Sequence, residues 1–204
     1  MRNPFHLSSE QTHFAPEIER DIVDELYKRA WAAFVALLLV LAVTGSALSQ
    51  AIHRHPPIGH VLILMVAVTL LRTLTLVLLR NIASPRVRLW GFITGSTLIA
   101  LGFADLNITC YPFLELPELA LLVIIDAGIC SGALMSMGSS FLTYMLYAVP
   151  NIGSMALMVA LGPSSRWSQN LLLLLCIYLA ALSLLAFQIA LAYRREVILR
   201  LEMA

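Results

Sequence analysis

Apolar residues come in long runs along this chain, and charged residues gather in the gaps between them. Runs cover about 31–52, 58–79, 89–106 and 170–193, and a longer one covers 119–161. An α-helix crosses a bilayer core in about 20 apolar residues, so each of the first four is one span and the long run is two. The long run holds one acid, Asp126, and no base, and Gly138-Ser139-Ser140 is its natural turn. Pro56-Pro57 divides the first two spans. The pattern predicts an all-α fold, a polytopic six-helix transmembrane bundle occupying 31–193. Trp31, Trp90, Tyr111, Trp167 and Tyr193 fall near span ends, where amphipathic rings prefer to sit.

The flanks differ. Residues 1–16 are polar, contain Pro4 and Pro16, and predict a flexible tail. From 17 to 30, Ile18, Ile22, Val23, Leu26 and Tyr27 recur at helical spacing against a charged face. That is an amphipathic juxtamembrane helix, which either lies on the bilayer surface or packs on a partner helix. After the last span, 194–204 keep an apolar stripe of Val197, Ile198 and Leu201. No capping Gly or Pro closes this pattern, so it reads as the start of a cytoplasmic connecting helix leading into another domain.

Composition agrees with a membrane protein. The 204 residues are 60% hydrophobic and 12% charged, about half the charge of a soluble domain. Residues 1–30 do not form a secretory signal peptide, so the first span is expected to serve as an uncleaved insertion signal. Arg2, Arg20, Lys28, Arg29, Arg80, Arg86, Arg88, Arg194, Arg195 and Arg200 fall on one side of a six-span topology, and only Arg54 and Arg166 on the other. The positive-inside rule then places both termini in the cytoplasm. Cys110, Cys130 and Cys176 lack CxxC spacing and read as buried free thiols. No basic cluster with interleaved aromatics supports nucleic-acid binding. No catalytic motif or cofactor is indicated: there is no HExxH, and Ser131 lacks both the Gly-x-Ser-Gly context and a histidine base in a later span. His53, His55 and His60 share their loop with no Cys, Asp or Glu, which favours interface histidines over a metal site.

The candidates for chemistry lie inside the spans. Arg72 is mid-span in the second helix and Asp126 mid-span in the fourth. Facing lipid would cost each about 3 kcal/mol, so both are expected to point into the bundle. The helical rise puts their depths within about 6 Å of each other, which predicts an Arg72–Asp126 ion pair. Such a pair reads as a switchable contact or ligand anchor, or as a structural tie, with Arg72 alternatively snorkelling. Cys130, Ala133 and Met137 share the face of Asp126. Gly128 and Gly132, extended by Ser136, form a GxxxG on another face, and Gly91 and Gly95 form a second in span three. These spacings predict close helix packing, with homodimerisation as the sharper alternative. Pro150 leaves the carbonyl of Leu146 without a donor beside Asn151 and Ser154. It reads equally as a pocket-lining hinge, walled by Tyr144 and Tyr147, or as a static kink.

These residues carry a resemblance. Ala127 to Met137, AGICSGALMSM, followed by Pro150 in the next span, is similar to an Ala-Gly-x-x-x-Gly-Ala-x-x-Ser pattern. The pattern belongs to the six-span N-terminal sensory regions of bacterial hybrid histidine kinases and GGDEF/EAL cyclic-di-GMP enzymes. ELYKRA before span one, LLRTLTLVLLR around Arg72 and WGFITGSTLIALGF in span three resemble the same family, over about 17–195. Asp126 stands outside the pattern. The resemblance implies an inner-membrane sensory module, a homodimer in the lipid bilayer, that passes a membrane or periplasmic cue to a cytoplasmic output domain in cis or trans. A small ligand is a possible cue, and the hairpin at 119–161 is the expected moving part. The alternatives are a small transporter and a structural or assembly subunit.

Overall fold

The computed structural model describes residues 15–82, 84–162 and 165–203. Most of the predicted tail lies outside them. The elements are α1 (Ala15–Ala47), α2 (Ser49–Arg54), α3 (Pro56–Ile82), α4 (Pro85–Cys110), a 3₁₀ turn (Tyr111–Phe113), α5 (Leu116–Met137), α6 (Phe141–Leu161) and α7 (Arg166–Glu202). There is no strand among the described residues. All but α2 and the 3₁₀ turn are long and apolar enough to cross a membrane, so the chain is a six-span, multi-pass membrane protein. Hydrocarbon offers no hydrogen bonds, and a helix satisfies its own backbone.

The boundaries differ from the prediction where a local pattern changes but the helix does not. The amphipathic segment and the first span are one helix, α1, with no break at Ala30. The span closes early, at Ala47. Leu48 still donates to the Thr44 carbonyl at 2.9 Å and accepts from Ile52 at 2.8 Å, so α2 continues it after a small irregularity. The connecting segment after Tyr193 is likewise the tail of α7. At 1.5 Å per residue, α1 and α7 are about 50 and 55 Å long, well beyond a ~30 Å core.

The overshooting ends lie together. Tyr193 of α7 donates to the Asp21 carbonyl of α1 at 3.3 Å. Ile18, Ile22, Val23, Leu26 and Val197 are all buried, so the α1 stripe packs inside the chain rather than on a bilayer surface, and Val197 of the α7 stripe does too. Two adjacent rings between two cations pin α1 to the start of α4. The Arg88 guanidinium lies 4.6 Å over Tyr27, Tyr27 is 6.1 Å from Phe92, and Arg72 lies 5.0 Å over Phe92. Arg88 also pairs with Asp24 at 2.7 Å.

The centre of the bundle is α4 against α6. Within their apolar windows 44% of residues are buried, against 11% in α1 and 17% in α7. Of the hairpin expected to organise the chain, the α6 half is therefore central and the α5 half flanks it. The turn at Gly138 is tight: an added Cβ would lie 2.5 Å from the Leu134 carbonyl and 3.1 Å from Ile189 of α7. The outer surface is apolar, with Ile63, Leu71, Ile124, Leu173 and Leu184 all exposed, as suits lipid contact. Trp31 and Trp90 are exposed near the terminal end, and Trp167 near the opposite end.

This packing sets an expectation for α1. Leu26→Ala removes a side chain with no exposed surface and should destabilise by about 2–4 kcal/mol. Leu39→Ala, at a position 63% exposed, should cost little when the protein sits in lipid. Reversible unfolding by SDS in bicelles measures both. Equal costs would show that the amphipathic stripe does not pack on the bundle.

Candidate functional site

Arg72 and Asp126 do not pair. Each turns to a different level of α4. The Arg72 side chain folds back towards the terminal end, donates Nη2 to Ser96 Oγ at 3.1 Å and covers Phe92. Asp126 Oδ2 accepts from Asn107 Nδ2 at 2.7 Å. Ser96 and Asn107 are eleven residues apart on one helix, about 16 Å along its axis. The spacing predicts similar depths, but Arg72 lies level with Gly95, its Cβ 3.5 Å from where a Cβ on that glycine would sit, while Asp126 meets Asn107 further along α4. Gly95 allows this: a Cβ there would lie 2.7 Å from Arg72 Cγ. A Cβ on Gly91 would collide with Leu79. The span-three glycines are therefore close-packing residues, as the spacing predicts.

The span-four glycines are not. Nothing lies within 4 Å of a Cβ placed on Gly128 or Gly132. They line a cavity of about 420 Å³ between α1 and α5, within the ~300–1,000 Å³ of small-molecule sites. Ala32, Ala33 and Ala36 face them from α1, and Arg72 and Tyr147 contribute polar groups to the wall. Ala32, Ala36, Gly128 and Gly132 are themselves exposed, so the cavity opens along the α1–α5 seam. Ser136 also lines it but donates to the Ala133 carbonyl at 3.1 Å. At the terminal end Arg29 closes the seam. It pairs with Glu25 at 2.6 Å and donates Nη1 to the Met135 carbonyl at 2.5 Å. Met135 is in the last turn of α5, where a cation suits the free carbonyls.

Arg72 is 5% exposed and Tyr147 3%. Among the described residues Ser96 is the one hydrogen-bond partner of Arg72, and Nε is buried without one. No carboxylate among them lies within ion-pair distance of Arg72, and the Tyr147 hydroxyl makes no hydrogen bond to them.

A second polar group lies deeper, where α4, α5 and α6 meet. The two amide hydrogens of Asn107 face three acceptors: Asp126 Oδ2, Ser154 Oγ at 3.0 Å and the Asn151 carbonyl at 3.2 Å. Ser154 also donates to the Asn151 carbonyl at 2.7 Å. Asp126 Oδ1, Asn107 Oδ1 and both side-chain polar atoms of Asn151 are buried without partners. Asn151 follows Pro150 within the continuous helix α6 and is buried. Cys130 and Tyr144 are fully buried and do not line the cavity. Cys176 is exposed, contrary to the expectation of a buried thiol; it faces outward on α7, where lipid replaces a core. His55 stacks on Phe113 at 4.0 Å, and His53 Nδ1 lies 2.6 Å from the Ser49 carbonyl.

Asn107 was missed because the predicted third span ends at Leu106, whereas α4 runs to Cys110. Tyr178 was missed too. It donates to the Ala127 carbonyl at 2.6 Å, so Ser131, also at 2.6 Å, donates to it. Helix α5 thus has three working faces: Asp126, Cys130, Ala133 and Met137 to the core, Gly128, Gly132 and Ser136 to the cavity, and Ala127 and Ser131 to α7.

No family model, curated protein or solved structure matches this chain.

Double-mutant cycles test the separation of the charges. Arg72→Gln and Asp126→Asn should be additive within about 0.5 kcal/mol. Asn107→Ala and Asp126→Ala should couple by about 0.6–1.7 kcal/mol, the range of interhelical hydrogen bonds in lipid. Unfolding by SDS in bicelles reads both, and a strong Arg72–Asp126 coupling would restore the ion pair.

Proposed function

We propose that the chain is a membrane-embedded sensory module. A membrane or periplasmic cue acts on the six-helix bundle, and α7 carries the change to a cytoplasmic output domain of the kinase or diguanylate cyclase type, in cis or trans. The observation that carries this reading is the Tyr178 hydroxyl. It ties α7 to Ala127 and Ser131 on the helix whose next face lines the cavity. From Tyr178 to Glu202, α7 is unbroken, about 36 Å of stiff lever. An occupant that wedges α1 from α5 displaces α5, and the tyrosine passes the displacement to α7. Such an occupant shifts the equilibrium only as far as it favours one packing over the other. The ten-to-two distribution of Arg and Lys supports cytoplasmic termini and an inner-membrane location. A homodimer would let two α7 tails act on one output pair.

A small transporter is the alternative, and one observation favours it: the unpartnered Asp126, Asn107 and Asn151 atoms in the core. Buried polar atoms of this kind mark ion paths in other membrane proteins. Flux through reconstituted liposomes separates the readings.

The sensory reading is tested without knowing the cue. Gly132→Phe puts a ring into the cavity and imitates an occupant. In a cysteine-free background, spin labels at Val87 and Leu199, both exposed near the terminal end, report the position of α7 against α4. Gly132→Phe should shift that distance, and Tyr178→Phe should suppress the shift. An α7 that stays still in the filled protein removes the reading.

A further inference from the structure

We propose that the cavity between α1 and α5 binds an amphiphilic anion, a carboxylate on an apolar tail, with Arg72 and Tyr147 taking its head. The inference deepens the sensory reading, on which it rests for the role of the cavity as the place where a cue acts.

The wall determines the chemistry. Four polar side chains line the cavity: Arg29, Arg72, Ser136 and Tyr147. Arg29 is committed to Glu25 and the Met135 carbonyl, and Ser136 to the Ala133 carbonyl. The groups left with donors to spare are the Arg72 guanidinium, which gives one hydrogen bond to Ser96, and the hydroxyl of Tyr147. Both donate hydrogen bonds, and no carboxylate lines the cavity. A complementary head is therefore an acceptor. A planar carboxylate matches the guanidinium fork, and its charge strengthens each bond.

Charge selects an anion over a neutral acceptor. Arg72 is buried and has no counter-charge among the described residues. The Phe92 face and one serine hydroxyl compensate it there. A buried cation without a partner is costly, and an anionic head entering the cavity removes that cost.

The remainder of the wall selects the tail. Ala32, Ala36, Leu37 and Ile129 are apolar, and the glycines of α5 leave space that no neighbouring helix fills. Since the seam is open along these small residues, a tail has a lateral way in from the bilayer.

Photolabelling of the purified chain in zwitterionic phosphatidylcholine nanodiscs tests this. The probe is a long-chain fatty acid carrying a diazirine and an alkyne. Label should concentrate on α1 and α5 residues of the seam. Free fatty acid should compete roughly tenfold better than the alcohol of equal length. Arg72→Gln should lower labelling roughly tenfold, and Arg72→Lys, which keeps the charge but loses the fork, should restore only part of it. Gly132→Leu fills the cavity without touching either polar group and should block labelling even if Arg72→Gln misfolds. Label spread evenly over lipid-facing residues, equal competition by the alcohol, or undiminished label in Gly132→Leu overturns the proposal. So does a disulfide between two copies through a cysteine at Gly132 when labelling is absent, since a second chain then fills the seam. The readout needs no output. Labelling with a still α7 keeps this site and removes the sensory reading, and a moving α7 without labelling does the reverse.

Discussion

Lipid tails are as apolar as leucine, so no hydrophobic force drives these helices together within the bilayer. The fold depends instead on close contact and on polar groups that have nowhere else to go. Each junction in the structure uses one of these. Between α3 and α4, Gly91 and Gly95 let Leu79 and the stem of Arg72 lie against the backbone. Among α4, α5 and α6, the Asn107 amide gathers a carboxylate, a hydroxyl and a carbonyl. Between α5 and α7, one tyrosine hydroxyl serves two acceptor and donor groups at once. At the terminal end, where water is near, the Arg88–Tyr27–Phe92–Arg72 ladder and the Arg88–Asp24 pair hold α1. None of these is large alone, since interhelical hydrogen bonds in lipid average about 0.6 kcal/mol.

That economy explains why α5 is the helix to watch. It has no large apolar moment to orient it, because all its sides are apolar enough for lipid. Its rotation is set by three narrow stripes at neighbouring positions: Asp126 to the core, Ala127 to α7 and Gly128 to the cavity. A rotation of one residue, 100°, would exchange all three. Small forces on one stripe are therefore felt at the other two.

The number of spans, their turns and the hairpin break at Gly138 were legible because apolar length and turn residues are local properties. The close-packing role of Gly91 and Gly95 was legible for the same reason. The role of Gly128 and Gly132 was not. A GxxxG states that a surface is smooth, and does not state whether a helix or a space lies against it. Asn107 fell outside the predicted span by one residue, and with it went the true partner of Asp126. The Arg72–Asp126 pair failed because counting residues from span ends does not give the level at which each helix meets its neighbour: Arg72 meets α4 at Gly95 and Asp126 meets it at Asn107. Gly95 makes room for the arginine stem at its level.

Two opposite charges buried in one bundle would lower their cost most simply by meeting. Here they are held about 16 Å apart along α4, and each keeps unsatisfied atoms: Arg72 its Nε, Asp126 its Oδ1. A residual cost of this kind is not needed for folding, since apolar residues in both places would pack as well or better. The two costs also differ in kind. Asp126 is sealed among side chains that share its hydrogen bonds, so it acts as a fixed tie. Arg72 stands at the wall of an open seam that Tyr147 also lines. Of Arg72 and Asp126, the arginine is the one that a molecule from outside the bundle can reach.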